Sequence, residues 1–390
     1  MTDLATRPVP PPSGTVRRAA PALAGYVAVR ALGLVVLAVW SAARGTSPHT
    51  LLSARWDSLW YTRVAALGYG YQVRLPNGDV HSNLAFFPLL PWLERLGAAL
   101  TPLSYADAGL AVSTLASLAA AWGIFAVADH VYGRRVGVCA VLVWAALPVG
   151  IVQSMAYSES LFTALAAWAL YAVLTDRWVS AGLLASLAGL TRPVGAAVVA
   201  AVWMAAIRAY ARDRGASAVD GRPGSPVRRA LGMLLAPLGA AGYVLWVGHR
   251  TGRGPLGYLD VQAGWRNGFD GGYAFARFAA AKFTSLASVP AGVGLVAGVA
   301  LIVWLYVVCV RQGQPLPLLV YTGVVTALAL GAASFFGSKP RLLMPAFPLL
   351  LPLARALARG RTSTSASVLG GVAVASAVYG ALWLNGSGPL

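Results

Sequence analysis

The sequence predicts an all-α protein that crosses a membrane many times, and three observations carry that prediction. Of its 390 residues, 58% are hydrophobic and only 11% are charged, against roughly 45–50% and about 25% in soluble domains. Mean hydropathy is +0.68 across the whole chain. The basic residues, which give a net charge of +18, punctuate the apolar runs as topology determinants do, instead of gathering in one patch. Together these exclude a soluble enzyme, a disordered scaffold, a secreted disulfide framework and a nucleic-acid partner. Cys139 and Cys309 both lie inside apolar runs and suggest no disulfide or metal framework.

Residues 1–20, with Pro8, Pro10, Pro11, Pro12, Arg7, Arg17 and Arg18, read as a disordered basic cytoplasmic tail and not as a cleavable signal peptide. Residues 21–390 read as a single transmembrane domain. Stretches of about 20 apolar residues fall near 22–43, 106–128, 136–153, 158–175, 178–191, 193–210, 230–249, 286–310, 316–336, 341–358 and 366–384. A bundle of about 11 transmembrane helices is therefore expected. The fifth stretch is short, and only Thr191-Arg192-Pro193 separates it from the sixth.

Orientation follows from the arginines. With the tail inside, the inner connections carry Arg134 and Arg135, Arg177, the set Arg208, Arg212, Arg214, Arg222, Arg228 and Arg229, then Arg311, and then Arg355, Arg359 and Arg361. The outer connections include two long loops, 44–105 and 250–285. On that outer side fall Arg55-Trp56-Asp57, Tyr157-Ser158-Glu159, Arg192 and Lys339-Pro340-Arg341. Four segments distant in sequence then converge on one rim.

The first long loop has helical periodicity from Trp56 to Leu67. Trp56, Leu59, Trp60, Val64 and Leu67 form one face, suited to lying flat at a membrane interface. Asp57 and Tyr61, four residues apart, fall on a neighbouring face that points away from lipid. A second interfacial helix is expected after Pro88 and Pro91, with Trp92, Leu93, Leu96 and Leu100 as its apolar stripe. Such a roof suits a reaction between a membrane-dissolved substrate and another at the surface. If the donor is a lipid-linked phosphosugar, its phosphate already leaves well. The chemistry then needs a carboxylate to take the proton of the attacking hydroxyl and cations to stabilise the departing phosphate. Asp57 suits the first role; Arg192, Lys339 and Arg341 suit the second. Arg55, Trp56, Trp60, Tyr61, Tyr157 and Glu159 complete the expected substrate-binding set.

Plainer readings stand beside these. Asp57 suits a helix N-cap; Ser158 and Glu159 suit an N-cap with a first-turn acid. Arg192 suits an interfacial anchor, Lys339 and Arg341 a helix-end charge pair, and Trp56 and Trp60 a lipid belt. Arg30 is harder to place. A charge mid-span costs about 3 kcal/mol on insertion scales, so it should face the bundle and find a partner that the sequence does not name. His49, His81, His130 and His249 show no ligand spacing, so neither a metal nor a cofactor is expected.

The run Arg55-Trp56-Asp57-Ser58-Leu59-Trp60-Tyr61, followed by Gly68-Tyr69, resembles the first-loop signature of the PIG-V-type mannosyltransferases, relatives of the second mannosyltransferase of glycosylphosphatidylinositol assembly. Ala85-Phe86-Phe87-Pro88-Leu89-Leu90-Pro91 and Ala156-Tyr157-Ser158-Glu159-Ser160-Leu161-Phe162 are similar to further blocks of that family, as is Thr191-Arg192-Pro193-Val194-Gly195. Lys339-Pro340-Arg341-Leu342-Leu343-Met344-Pro345 is similar to a last block, with leucine after Arg341 where the family usually carries an aromatic. The resemblance spans roughly residues 55–345. It implies a GT-C-type bundle whose catalytic aspartate, in the first non-cytoplasmic loop, would be Asp57. It also implies a polyprenyl-phosphate mannose donor and inversion to an alpha linkage.

The alanine-, glycine- and arginine-rich composition reads as bacterial. The acceptor expected is therefore a glycolipid or cell-envelope glycan at the external face of the plasma membrane. Competing readings are a GT-C transferase of another lipid-linked sugar (arabinofuranose, galactofuranose), protein O-glycosylation, and a lipid or solute transporter. No internal repeat of the kind transporters show is present.

Overall fold

The computed structural model describes residues 12–215 and 225–386. The first eleven residues of the expected tail, and Arg222 of the basic connection, lie outside them. Helix α1 (Pro12–Ala43) begins well before residue 20, so the last part of the expected tail is already helical. Arg18 helps hold it, pairing with Asp129 at 2.8 Å.

Each of the eleven apolar stretches falls on helical structure, but fewer are built to span. Among the described residues, six helical runs are long and apolar enough to cross a membrane, or seven if one bent pair is counted as a span. They contain α1, α5 (Tyr105–Tyr132), α9 (Ala196–Gly215), the pair α10 (Pro226–Leu235) and α11 (Leu238–Thr251), α14 (Val289–Arg311) and α18 (Thr362–Leu384). Helices α7 (Ser158–Leu174), α8 (Trp178–Gly189) and α15 (Leu316–Gly331) are apolar but shorter. The 12 residues of α8 rise only about 18 Å against a hydrocarbon core of about 30 Å. Helix α6 (Arg134–Ala145) is equally short and ends in a break. The stretch near 341–358 is bent by 77° between residues 336–343 and 347–359, which contain α16 (Lys339–Leu343) and α17 (Leu351–Arg359).

Small residues set the close approaches. A side chain at Gly182 of α8 would meet the backbone oxygen of Gly232 at 2.4 Å. Without a hydrophobic drive between helices in lipid, such seams let backbones touch. Arg30 finds its partners here as well. Its guanidinium donates to the carbonyls of Ala145 and Gly150, the oxygens freed where α6 breaks.

The first long loop holds α2 (Pro48–Ser53), α3 (Asp57–Leu67), a hairpin and α4 (Leu89–Leu100). The hairpin joins β1 (Gln72–Arg74) and β2 (Val80–Ser82) antiparallel, Val73 opposite His81, and is the one departure of this loop from the all-α expectation. The second long loop holds α12 (Gly257–Gly264) and α13 (Tyr273–Ala281). Helix α4 exposes Trp92, Leu96 and Leu100 along one side and buries Leu90 and Glu94 on the other, as an interfacial helix should. The face drawn for α3 is corrected. Val64 is buried with Tyr61, while Leu59 and Leu67 are exposed and Arg63 lies between them on the same exposed face. Trp60 turns into a cluster of rings instead of toward lipid.

The chain's two ends collect the segments that the charge rule groups together. At one end Arg18 meets Asp129, Arg135 donates to the Gly360 carbonyl at 2.7 Å, and Arg355 donates to Gln312 at 2.7 Å. At the other, Thr46 donates to Asn385 at 2.7 Å, and the functional residues gather.

Candidate active site

Asp57 opens α3, and the residue before it is strained. Trp56 has φ 52°, a left-handed conformation costly for a bulky side chain. Three contacts hold it there. Its ring packs on Trp383 at 4.8 Å between centroids, the Arg55 guanidinium lies 4.2 Å over it, and Arg55 donates to the carbonyls of Leu384 and Gly386. The Arg55 and Trp56 side chains are therefore occupied in anchoring the loop to the end of α18. Ser58 Oγ closes the turn by accepting from the Arg55 amide at 3.0 Å. Asp57 itself is the first helical residue and not the N-cap, which is Trp56. The N-cap reading is thereby removed.

The Asp57 carboxylate pairs through Oδ2 with Arg341 Nη1 at 2.8 Å. The Arg341 Nε faces Glu159 Oε1 at 3.2 Å, and the same Glu159 oxygen takes Arg192 Nη1 at 2.5 Å. Arg192 also donates to Ser158 Oγ at 3.1 Å, and the Tyr61 hydroxyl is 2.7 Å from that oxygen. Tyr157 supplies a floor, its ring centroid 5.0 Å from the Arg341 guanidinium. Burial pushes the Tyr61 hydroxyl up from its ordinary range, so it stays a neutral donor. Four segments distant in sequence thus build one network, in which Arg341 bridges the two carboxylates and Arg192 adds a second arginine to Glu159. Glu159 is sealed at 1% exposure, whereas Asp57 keeps 26%. Of the two acids, Asp57 is the one a substrate can reach.

Local structure explains how each member arrives. Arg192 sits in extended backbone between α8 and the 3-10 turn at Pro193–Gly195. Arg341 rides on five-residue α16 before the 77° bend. The carbonyls left free at that bend are taken by Trp144 Nε1, on Met344 at 3.1 Å, and the Tyr321 hydroxyl, on Pro345 at 2.9 Å. Non-helical backbone at membrane depth is tolerated where such partners exist.

Lys339 is placed apart from these ion pairs. Its ammonium donates to the carbonyls of Ala329, Leu330 and Ala332 at 2.8, 3.2 and 2.8 Å, capping the C-terminal end of α15. Its hydrogens are engaged by those carbonyls. Beside it opens an apolar groove of about 630 Å³, lined by Phe275, Leu295, Val299, Ala327 and Leu330 among others from α13, α14 and α15. Lys339 Nζ lies 4.8 Å from the centroid of Phe275 in that wall. Short helix α16 therefore stands between the groove and the network, with Lys339 and Arg341 two residues apart.

Sequence reasoning missed two parts of this end. Ala85 and Phe86 present their carbonyls to tyrosines. The Tyr69 and Tyr243 hydroxyls both donate to Phe86 at 2.8 Å, and Tyr258 donates to Ala85 at 3.4 Å. Trp265 of the second loop packs edge-on to Trp60 at 4.8 Å. Apart from the Tyr69 bond, both join residues more than 150 positions apart, and those long-range contacts leave no local signature.

The backbone arrangement aligns with that of ArnT from Cupriavidus metallidurans in its apo state, at TM-score 0.53 and 18% identity, covering 88% of this chain and 62% of that one. The two chains share a fold. The same protein bound to undecaprenyl phosphate aligns equally well, at 16% identity and the same coverage. The archaeal oligosaccharyltransferase AglB from Archaeoglobus fulgidus, in complex with an inhibitory peptide and a dolichol-phosphate, aligns at TM-score 0.45 and 12% identity, covering 93% of this chain and 56% of that one. The chain thus spans less than two thirds of the length of these structures. Residues 82–217 match the dolichyl-phosphate-mannose-protein mannosyltransferase family, a stretch that includes Glu159 and Arg192 but neither Asp57 nor Arg341. No curated protein matches the sequence significantly.

Proposed function

We propose that this chain is an inverting membrane glycosyltransferase of the PIG-V type. It moves mannose from a polyprenyl-phosphate donor to a glycolipid or cell-envelope glycan on the outer face of the plasma membrane. The observation that carries the reading is a partly exposed carboxylate, Asp57, held by an arginine whose other carboxylate partner is buried. The Asp57 carboxylate takes the proton of the acceptor hydroxyl, whose oxygen attacks the anomeric carbon from the face opposite the phosphate. The anomeric carbon–oxygen bond breaks, and polyprenyl phosphate leaves with the bonding electrons. Arg341 and Arg192 share Glu159 as counter-charge, and Lys339 and Arg55 lie within two residues of network members. The two arginines of the network are the cations that an incoming phosphate would meet.

Two observations support a lipid-borne donor. The apolar groove beside α16 suits an isoprenoid chain, and an ArnT structure of similar fold holds undecaprenyl phosphate. The resemblance of the Arg55–Tyr61 block supports mannose as the sugar. The test is incubation of the purified chain with radiolabelled polyprenyl-phosphate mannose and a crude lipid extract. Label is expected in a new lipid or glycan. Label that stays on the donor with every extract contradicts the proposal.

A further inference from the structure

Two aromatic clusters join the long outer loops, and they differ in burial. Phe87, Tyr243 and Tyr258 are buried together and, with the tyrosine hydroxyls on the Ala85 and Phe86 carbonyls, already fasten one loop to the other. The second cluster is surplus to that task. Trp60 of α3, Tyr71 and His81 of the hairpin, Phe86, and Trp265 after α12 are all only half-buried. Trp60 stacks on Phe86 at 5.6 Å with the planes 5° apart, and His81 stacks on Trp265 at 4.0 Å. Trp265 is locked in place, its indole N–H donating to the Ser82 carbonyl at 3.0 Å.

The rim of this cluster is charged. Arg63 lies 3.9 Å over Tyr71, and Arg266, next to Trp265, pairs with Asp79 at 2.6 Å. A polar rim argues against an acyl chain as occupant and for a ligand with apolar faces and hydroxyl edges. A pyranose ring has that form. Its axial C–H groups carry slight positive charge and rest on the negative face of an aromatic ring, while its hydroxyls reach charged groups at the edge.

The cluster is also continuous with the catalytic end. Trp60 follows Asp57 by one helical turn, and Phe86 touches both Trp60 and, edge-on at 5.1 Å, Tyr61 of the Ser158 network.

We infer that Trp60, His81 and Trp265 form an acceptor subsite that takes a sugar ring, so that the acceptor is a glycan or glycolipid already carrying a pyranose. The word acceptor rests on the function proposed above; the sugar binding does not. The test is saturation-transfer NMR on the full chain in detergent, with methyl α-mannopyranoside and methyl β-glucopyranoside as probes. At least one probe should receive saturation at its ring C–H protons. Trp265→Ala and Trp60→Ala should each weaken its binding about tenfold, the scale of losing one aromatic anchor. Trp265→Phe should keep most of it, which separates ring stacking from loss of fold. Asp57→Asn should bind the probe as the unaltered chain does. A chain that transfers mannose yet shows no saturation transfer to either probe, or binds it unchanged in both tryptophan variants, overturns the subsite. A chain that binds the probe through these tryptophans but transfers no sugar keeps the subsite and loses the proposed reaction.

Discussion

The two ends of the bundle both carry arginine–carboxylate pairs, and the pairs are built to different plans. At the Arg18 end they are one-to-one and half open to solvent. Arg18 meets Asp129 with 46% of the arginine exposed, and Arg229 meets Asp213 with 39% of the aspartate exposed. Each fastens one helix end to another with one partner open to solvent and the other buried, Asp129 at 10% and Arg229 at 4% exposure, and solvent screening keeps the contribution of such pairs to about 1 kcal/mol. The Asp57 end also has an open one-to-one pair, Arg266 with Asp79, but in the network around Asp57 the charges are shared. Arg341 serves two carboxylates, Glu159 serves two arginines, and Glu159 is sealed. Burying charge in this way is costly unless geometry is tight. A network drawn from four distant segments, with one acid left reachable, is poor economy for a fastener and sensible for a site.

Substitutions can break this contrast, and the largest effect is expected at Asp57. Asp57→Asn keeps the shape of the side chain and removes the base. Turnover should fall at least about a hundredfold, the scale of general-base catalysis, with the thermal midpoint little changed. Steady-state transfer with labelled donor measures it. Next come Arg192→Ala and Arg341→Ala, each of which deletes a charge-assisted contact available to phosphate. The donor KM should rise about tenfold while the acceptor KM stays within about twofold. Equal changes in both would reduce the arginines to scaffolding.

A third expectation concerns an acid with no cation at all. Glu94 is wholly buried on α4, with neither carboxyl oxygen hydrogen-bonded. It packs where a side chain at Gly109 would come within 2.7 Å of its Oε1. Burial pushes its carboxyl up to about 9. The folded chain therefore holds a proton that the unfolded chain releases above about pH 4.5. Stability from this group is full below that pH and is lost as pH rises toward 9, by about 1.4 kcal/mol per pH unit. The thermal midpoint should fall between pH 5 and 9, and Glu94→Gln should flatten that slope. The smallest effect belongs to the other end. Arg18→Ala should leave turnover within about twofold and lower stability by about 1 kcal/mol or less; a catalytic loss there as large as at Asp57 erases the distinction between the ends.

Much of this contrast was legible in the sequence because it rests on local rules. Each apolar run fell on helical structure, although α2, α12 and α13 of the long loops were not foreseen, and arginine placement gathered Asp57, Glu159, Arg192 and Arg341 on one side. What was not legible depends on backbone. Arg30 and Lys339 are charges satisfied by carbonyls at helix breaks and ends, and a carbonyl has no letter in the sequence. Helix breaks were equally hidden, since an apolar stretch reads the same whether straight or bent. The exposed face of α3 was drawn from hydrophobicity alone, whereas Trp60 is turned inward by Phe86 and Trp265 from two other segments.

Sidedness tests the account most directly, because a nucleotide sugar is made in the cytosol and only a flipped lipid carrier serves an outer site. Cys139 and Cys309 are both buried, so single cysteines can be introduced without removing them. Asn77, at the tip of the hairpin, and Arg212, near the end of α9, are exposed positions at opposite ends. Asn77→Cys and Arg212→Cys would be labelled in intact cells with an impermeant maleimide. The account predicts labelling at position 77 and none at 212 until the cells are opened. Labelling at 212 with protection at 77 would put Asp57 in the cytosol and contradict a lipid-linked donor at that end.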